Sequence, residues 1–379
     1  MMKKTTLLFG LLLLIGSGLI ASSLPLSVSN RVDTNNAEVR KIIHLYANYL
    51  NSNPESIYDN PYWNKKEKTT LKDFDLSREA LFQIFNGKQL QLRFPPFVLS
   101  VDKISSKYKI RVLYSSNTTD IKYIGSKVWA IHQLYAIKEN GRWVLENALP
   151  NITSKWLNLE KSRVNFVYPN NHQFSNLNAD KANFFCEEIL KRFNTNYSNP
   201  PFHFFITNSI DQMGQLENFD FYFAGVTSGK SKEGMIFTAK GNEYYPHEFV
   251  HQLLPKNSQR GHIIEEGLAT YLGTRENIGE YTKLMSQLAL DIQLKQAINF
   301  HNILDFKSEY NGYQVAYPAG AAICEMVANR KGDQGLNQLI NGNTSNKQNT
   351  INLLSTILDI NEDQVIQLWN QTLLTYKSN

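Results

Sequence analysis

Two histidines four positions apart, with a glutamate directly after the first, are the part of this sequence best able to do chemistry: His247-Glu248-Phe249-Val250-His251. On a helix, residues i and i+4 lie about 40° apart around the axis and one turn apart along it. Both imidazoles can therefore reach one Zn²⁺ from the same face. Glu248 stands beside the first imidazole, where it can act as a general base on a zinc-held water without ligating the metal. Pro246 suits the first turn of a helix, where its missing N–H costs nothing. Phe249, Val250, Leu253 and Leu254 make the helix largely buried, and two buried imidazoles beside a carboxylate need partners, of which a metal is one. The competing reading is an exposed helix with two unrelated histidines, and the apolar flanks speak against it.

A catalytic zinc site needs a third protein ligand and keeps one position open. Downstream the chain reads Ile263-Ile264-Glu265-Glu266-Gly267-Leu268-Ala269-Thr270-Tyr271. The two segments together resemble the gluzincins, HExxH peptidases whose third ligand is a glutamate on a following helix, typically directly before the glycine of a Glu-Gly-x-Ala-x-Tyr-like stretch. The resemblance implies Glu266 as third ligand. Glu265 competes for the role but points about 100° away around the helix, and His262, expected in the turn, is a further rival. Fourteen residues separate His251 from Glu266, enough for a helix end, a turn through Asn257 to Gly261 and a return helix. Gly267 and Ala269 are small enough to let the two helices approach closely.

The resemblance extends to Tyr317-Pro318-Ala319-Gly320-Ala321-Ala322-Ile323, the start of a later helix. Gluzincins of the aminopeptidase-like type often carry an oxyanion-binding tyrosine in this region. Tyr317 is the candidate and Tyr313 the alternative, against the competing reading of a tyrosine capping an ordinary core helix. The resemblance covers about residues 163–376, with two short specific motifs. It implies zinc-dependent hydrolysis of peptide bonds in peptides or proteins. One departure matters: where those aminopeptidases carry Gly-x-Met-Glu-Asn, this chain has Gly234-Met235-Ile236-Phe237-Thr238, without the glutamate that anchors a free amine. The segment still reads as an edge strand able to pair with an extended peptide. The third-histidine extension of metzincins is absent. A different class stays open, a non-catalytic exported binding module with a structural or vestigial zinc site. Glu248 separates the two, since a structural site needs no base.

These motifs must be positioned by an α+β chain. Residues 1–23 read as a signal peptide, with Lys3 and Lys4 ahead of the apolar run Leu7 to Ile20 and small residues at Ala21 and Ser23. An uncleaved N-terminal anchor is the alternative, and either one places the protein outside the cytoplasm, in the periplasm, at the cell surface or secreted. Residues 24–36 read as a linker. Residues 37–149 read as a small accessory domain: an amphipathic helix over Val39 to Leu50, then an antiparallel sheet with strands at Lys109 to Tyr114, Lys127 to Ile137 and Trp143 to Leu145, the last two joined by a turn at Glu139-Asn140-Gly141. This order resembles cystatin-like or nuclear-transport-factor-like folds. Pro150 to Lys155 is the expected boundary, and 156–379 the thermolysin-like, gluzincin-type peptidase domain. It opens with a strand at Arg163 to Tyr168, a helix at Ala179 to Phe193 capped by Asn178, and strands at Phe202 to Thr207, Phe219 to Phe223 and Gly234 to Thr238. From Tyr245 onward the pattern is helical, with Asn361 as the last N-cap.

With 42% hydrophobic and 12% aromatic residues the chain can build a sizeable core. A net charge of +5, scattered without a dense basic block, argues against nucleic-acid binding. Cys186 and Cys324 read as two separate buried thiols rather than a disulfide. His44, His132, His172, His203 and His301 have no partner spacing and read as core or surface residues. Asn117, Asn151, Asn196 and Asn343 match a glycosylation pattern, with ordinary surface asparagine as the favoured reading.

Overall fold

The computed structural model describes residues 25–377 of the 379-residue chain, apart from 53–59, 83–84, 86, 117–125, 194–200, 224–227, 295–297, 306–308 and 311–312, and gives the backbone alone for 309–310 and 313–314. The expected signal at 1–23 and the Asn117 and Asn196 patterns lie outside the described residues. The fold class is α+β, with two mixed sheets and a helical C-terminal part. Among the described residues no helix is long and apolar enough to cross a membrane.

The first region runs β1 (Ser27–Val28), α1 (Ala37–Leu50), α2 (Lys65–Thr70), α3 (Arg78–Leu81), α4 (Gly87–Arg93), β2 (Pro96–Ile104), β3 (Lys107–Ser115), β4 (Val128–Glu139) and β5 (Arg142–Glu146). Asn36 caps α1 by accepting from the N–H groups of Glu38 and Val39, and Ile42, Ile43, Tyr46 and Leu50 on its inner side pack on the sheet. The β4–β5 turn uses Asn140 and Gly141 at φ +50° and +79°, the left-handed pair that a tight hairpin demands. The sheet is antiparallel except at β1, which joins β2 in parallel.

The chain continues through α5 (Leu149–Ile152), a 3₁₀ turn at Thr153–Lys155, β6 (Leu157–Glu160), β7 (Val164–Tyr168), α6 (Asn176–Arg192), β8 (Phe202–Ile206), α7 (Ile210–Leu216), β9 (Phe219–Tyr222), β10 (Gly229–Lys232) and β11 (Met235–Thr238). Helix α6 starts a turn earlier than predicted, because the Ser175 hydroxyl, not Asn178, caps it by accepting from the Asn178 N–H. The second sheet has the order β10-β11-β8-β7-β6, with β11, β8 and β7 mutually parallel. Strands β7 and β11 are buried throughout because both faces of the sheet are covered. Phe204 packs on Phe249 on one face, while Phe205 and Phe237 stack on the other, in a cluster with Leu76 and Leu149 from the first region and its exit.

Two expectations are corrected here. Met235–Thr238 is an interior strand, flanked by β8 and β10, and the edge belongs to β10, whose polar sequence Gly229-Lys230-Ser231-Lys232 carries no apolar alternation. The strand predicted at Phe219 to Phe223 forms as β9 but pairs with β4 of the first sheet. Asn218 explains this: its carboxamide accepts from the Ala148 N–H and donates to Asn147 Oδ1 and Ser77 Oγ, so Phe219 is delivered into the first core beside His132.

The C-terminal part comprises α8 (Pro246–Leu253), α9 (His262–Leu272), a 3₁₀ turn at Thr274–Glu276, α10 (Ile278–Leu294), α11 (Phe300–Ile303), β12 (Glu309–Tyr310), β13 (Tyr313–Gln314), α12 (Ala316–Asn341), α13 (Lys347–Leu358) and α14 (Glu362–Leu374). The small β12–β13 hairpin interrupts what the sequence predicts as purely helical. Gly332, at φ +59°, breaks α12, and Asn361 caps α14 in a full capping box with Gln364. Cys186 and Cys324 are both buried and free.

Helices α9 and α12 cross backbone to backbone. A Cβ on Gly267 would lie 2.3 Å from the Gly320 carbonyl carbon, and one on Gly320 would lie 2.0 Å from the Ile263 carbonyl oxygen. The small residue Gly267 thus serves the contact with α12, not with α8 as predicted. Gly273, just past α9, makes the close approach to α8, where a Cβ would lie 2.6 Å from the His247 nitrogen. Gly320→Ala should destabilise the helical part by about 1–3 kcal/mol, as overpacking against backbone does. The check is a lowered midpoint in urea denaturation, with Gly279→Ala, whose Cβ would meet nothing nearer than 3.8 Å, as the neutral control.

Candidate metal centre

Helix α8 begins at Pro246 with Tyr245 in the N-cap position and lasts two turns, ending before Pro255. Its buried side carries Phe249, Val250 and Leu253 into the core, which turns His247, Glu248 and His251 toward α9. The two imidazole rings stand 5.2 Å apart at 77°. Glu266, in the second turn of α9, reaches between them, with its Oε2 3.3 Å from His247 Nε2 and 3.6 Å from His251 Nε2. One donor atom from each of these residues lies within 4.8 Å of the others, and among the described residues no other group of three His, Cys, Asp or Glu side chains does this.

The donor set fits zinc. A tetrahedral ion with bonds of about 2.0–2.1 Å holds its donors about 3.3–3.4 Å apart. The two histidine–carboxylate separations bracket that spacing, and nitrogen and oxygen donors are the ones zinc takes.

Glu265 points elsewhere, as its place on the helix requires. Its Oε1 lies 3.2 Å from His251 Nδ1, and its Oε2 is held by the Arg260 guanidinium, whose side chain is almost fully buried and also donates to the Ile340 and Pro255 carbonyls. A carboxylate on Nδ1 fixes the tautomer that leaves Nε2 free for a metal. Arg260 escaped the sequence reading, although a basic residue in the turn five positions before a glutamate pair was the available signal. His262 is the first residue of α9 rather than a turn residue, and its Nδ1 comes no nearer than 3.8 Å to Glu266 Oε1.

The electrostatics follow from burial and proximity. Burial pushes the Glu248 carboxyl up, against the opposing pull of His247 and His251. For His251 burial alone would lower the imidazole, but the carboxylates of Glu265 and Glu266 outweigh it and lift the pKa to about 10. Burial likewise opposes ionisation of Glu265, yet His251 and Arg260 prevail and hold it at about 2, and the two histidines hold Glu266 well below the usual carboxylate range.

The Tyr317 ring lies 5.5 Å from that of His247, and burial with the Glu266 and Glu248 charges keeps its phenol protonated. The Tyr313 side chain lies outside the described residues. Tyr245, which the sequence reading named only as the start of the helical part, packs its ring 6.3 Å from that of His247, beneath the Lys240 ammonium. Gln252, beside His251, was also missed. Its amide donates to the Lys232 carbonyl and to Ser231 Oγ and accepts from the Gly234 N–H, which ties α8 to the β10–β11 turn. The remaining histidines stand apart from the centre. His132 is buried between Tyr46 and Ser77, His172 pairs with Glu243 at 2.7 Å, His203 lies on the outer face beside Asn165, and His301 is 3.8 Å from Glu362.

No protein-family model matches this chain, and no curated protein matches it. Among solved structures it is similar to the M1 zinc metallopeptidase from Deinococcus radiodurans, at 10% identity and a TM-score of 0.39 over 73% of this chain and 64% of that one. A mutant of that enzyme gives 0.38 over 72% and 64%, and a two-domain mutant form bound to L-tryptophan gives 0.37 over 73% and 64%, both again at 10% identity. The matched part is under two thirds of the length of those chains.

Glu265→Gln should weaken zinc affinity about 10–100-fold, the usual loss when a partner of a metal-bound histidine is altered. Competition with a chromophoric chelator measures it. The sign of the pH effect is set by His251. Its pKa in the metal-free fold, about 10, lies above the ordinary 6.5. The attraction to Glu265 and Glu266 is therefore present in full below the ordinary histidine range and is lost as pH rises through about 10. Zinc must displace that proton, so apparent zinc affinity should rise between pH 7 and 9 and binding should release protons, as calorimetry in buffers of different ionisation enthalpy would show.

Proposed function

We propose that this chain is an exported zinc peptidase of gluzincin type that hydrolyses peptide bonds in peptides or proteins. The observation that supports it most is the convergence of His247, His251 and Glu266 donor atoms within 4.8 Å, with Glu248 buried beside them. A structural zinc site has no use for a buried carboxylate left out of the donor set, which favours an enzyme over a binding module.

His247, His251 and Glu266 would hold the zinc, which when bound polarises the scissile carbonyl and acidifies water. The chain's own groups do the remaining work. Glu248, whose burial raises its proton affinity, takes a proton from the attacking water and returns it to the leaving amine nitrogen. Tyr317, kept protonated, donates a hydrogen bond to the carbonyl oxygen as negative charge grows on it. Glu265 and Arg260 hold the His251 ring in register. The signal expected at residues 1–23 supports an action outside the cytoplasm.

Glu248→Gln should retain zinc by mass spectrometry and lose about 10²–10⁴-fold in turnover of a peptide library. His251→Ala should lose the zinc itself. Full turnover by Glu248→Gln would overturn the mechanism, and no zinc in the unaltered protein after incubation with Zn²⁺ would overturn the assignment. Tyr317→Phe should keep its zinc and lose about 10²–10³-fold in kcat, the usual cost of one oxyanion donor.

A further inference from the structure

Between β11 and α8 the chain runs Ala239-Lys240-Gly241-Asn242-Glu243-Tyr244-Tyr245 and carries two charged side chains. Glu243 is 1% exposed and already satisfied, by His172 Nε2 at 2.7 Å and by the Ser175 N–H at 3.1 Å. Lys240 is exposed, and among the described residues no carboxylate forms an ion pair with it. The two lysines of β10 differ in this respect, with Lys230 3.2 Å from Glu217 and Lys232 3.4 Å from Glu79. The segment that leads into α8 therefore presents one accessible charge, a cation without a counter-ion.

The Lys240 ammonium rests on an aromatic ring, 3.5 Å from the centroid of Tyr245, as in a cation–π contact. That ring touches both the edge strand and the candidate metal centre. A Cβ on Gly229 of β10 would lie 2.2 Å from Tyr245 Cε1, and the ring centroid is 6.3 Å from that of His247. At about 3.3 Å per residue, about three residues of extended chain at most separate the ammonium from His247. Burial draws the ammonium's pKa down, against the opposing pull of Glu280 and Glu248. Glu280 is engaged by the Asn277 amide at 3.3 Å. A partly desolvated cation of this kind gains from a carboxylate brought into contact with it.

The sign of the charge decides what it can hold. Strand β11, Met235–Thr238, carries no carboxylate that could anchor a free amine, and the first charged side chain after it is positive. We infer that Lys240 determines specificity by receiving a carboxylate of the bound peptide, either its free C-terminus or an acidic side chain, within about three residues of the bond to be cut. This rests on the peptidase reading and assigns a substrate class to it, peptides with a negative charge close to the scissile bond.

The test uses the zinc-loaded Glu248→Gln full chain and short labelled peptides in a serine–alanine background, made in matched pairs. One pair sets a free C-terminal acid against its amide, and the others set one glutamate against glutamine at each position of an amidated chain. Fluorescence anisotropy should show the charged member of one pair bound about tenfold more tightly, with the difference falling as salt is added. Preference in the first pair assigns the carboxylate to the chain end, and preference in another assigns it to a side chain. Lys240→Met should bring that ratio toward one, and Lys240→Arg, which keeps the charge, should preserve it. Equal affinities within every pair, or a loss in Lys240→Met that falls equally on both members, would overturn the inference. Turnover by the unaltered enzyme separates the two readings. Cleavage without carboxylate preference overturns the role of Lys240 alone, whereas carboxylate-selective binding that Lys240→Met abolishes, without any cleavage, overturns the peptidase and leaves Lys240 as a binding residue.

Discussion

Three donor atoms from two helices can share one ion only if the helices have no slack, and here the slack is removed by glycine. Gly267 lies against Gly320 with backbone touching backbone, so α9 is seated on α12 at a distance no side chain would permit. The other end of α9 is fixed on α8 by Gly273, which sits against the backbone of His247. Glu266 is adjacent to Gly267, so the carboxylate that reaches between the imidazoles is placed by this close backbone contact. Leu268 and Ala269 then lock the same helix into the apolar core, and the register of the candidate metal centre becomes a property of packing.

Burying so many charged groups together would be unfavourable without a fixed arrangement of opposite charges. The chain supplies that arrangement in layers. His247 and His251 face Glu266, His251 turns its other nitrogen to Glu265, and Glu265 is held by Arg260. Arg260 is in turn satisfied by the carbonyls of Ile340, near the end of α12, and Pro255, just past α8. The helix that seats α9 sterically therefore also anchors the outermost charge of the network. Disturbing α12 would disturb both the position of Glu266 and the orientation of His251, through Gly320 and the Ile340 carbonyl rather than through any donor of its own.

The sequence displayed the candidate donors and concealed their support, for a physical reason. His247, Glu248, His251 and Glu266 are legible because helical geometry alone relates them across one turn and one return. Glu265 and Glu266 are told apart by the same geometry, which sends one to Nδ1 and the other to Nε2 of His251. The supporting contacts are long-range: Gly267 with Gly320, Arg260 with Ile340 and Asn218 with Ser77 join segments whose separation carries no periodic signal. The strand pattern at Phe219 was readable, but its sheet was not, because Asn218 decides that through side-chain hydrogen bonds. Likewise Met235–Thr238 was recognisable as a strand, whereas its interior position depends on the polar hairpin partner β10, which no apolar alternation announces.

Strand β10 also lies between the first region and the helix that carries the candidate donors. Gln252, one residue after His251, binds the β10–β11 turn through three hydrogen bonds, which ties the outer edge of the second sheet to α8. The far side of the same hairpin is tied to the first region and to the segment entering β9, through Lys232 with Glu79, Lys72 with Glu233 and Lys230 with Glu217. Each of these pairs is weak where solvent reaches it. Phe219 in the first core and the Leu76, Leu149, Phe205 and Phe237 cluster supply the cohesion that such pairs lack. The first region is thereby packed along the β10 edge of the second sheet, on the side of the candidate metal centre. An extended chain laid on that edge would touch it as well as the helices that carry the donors.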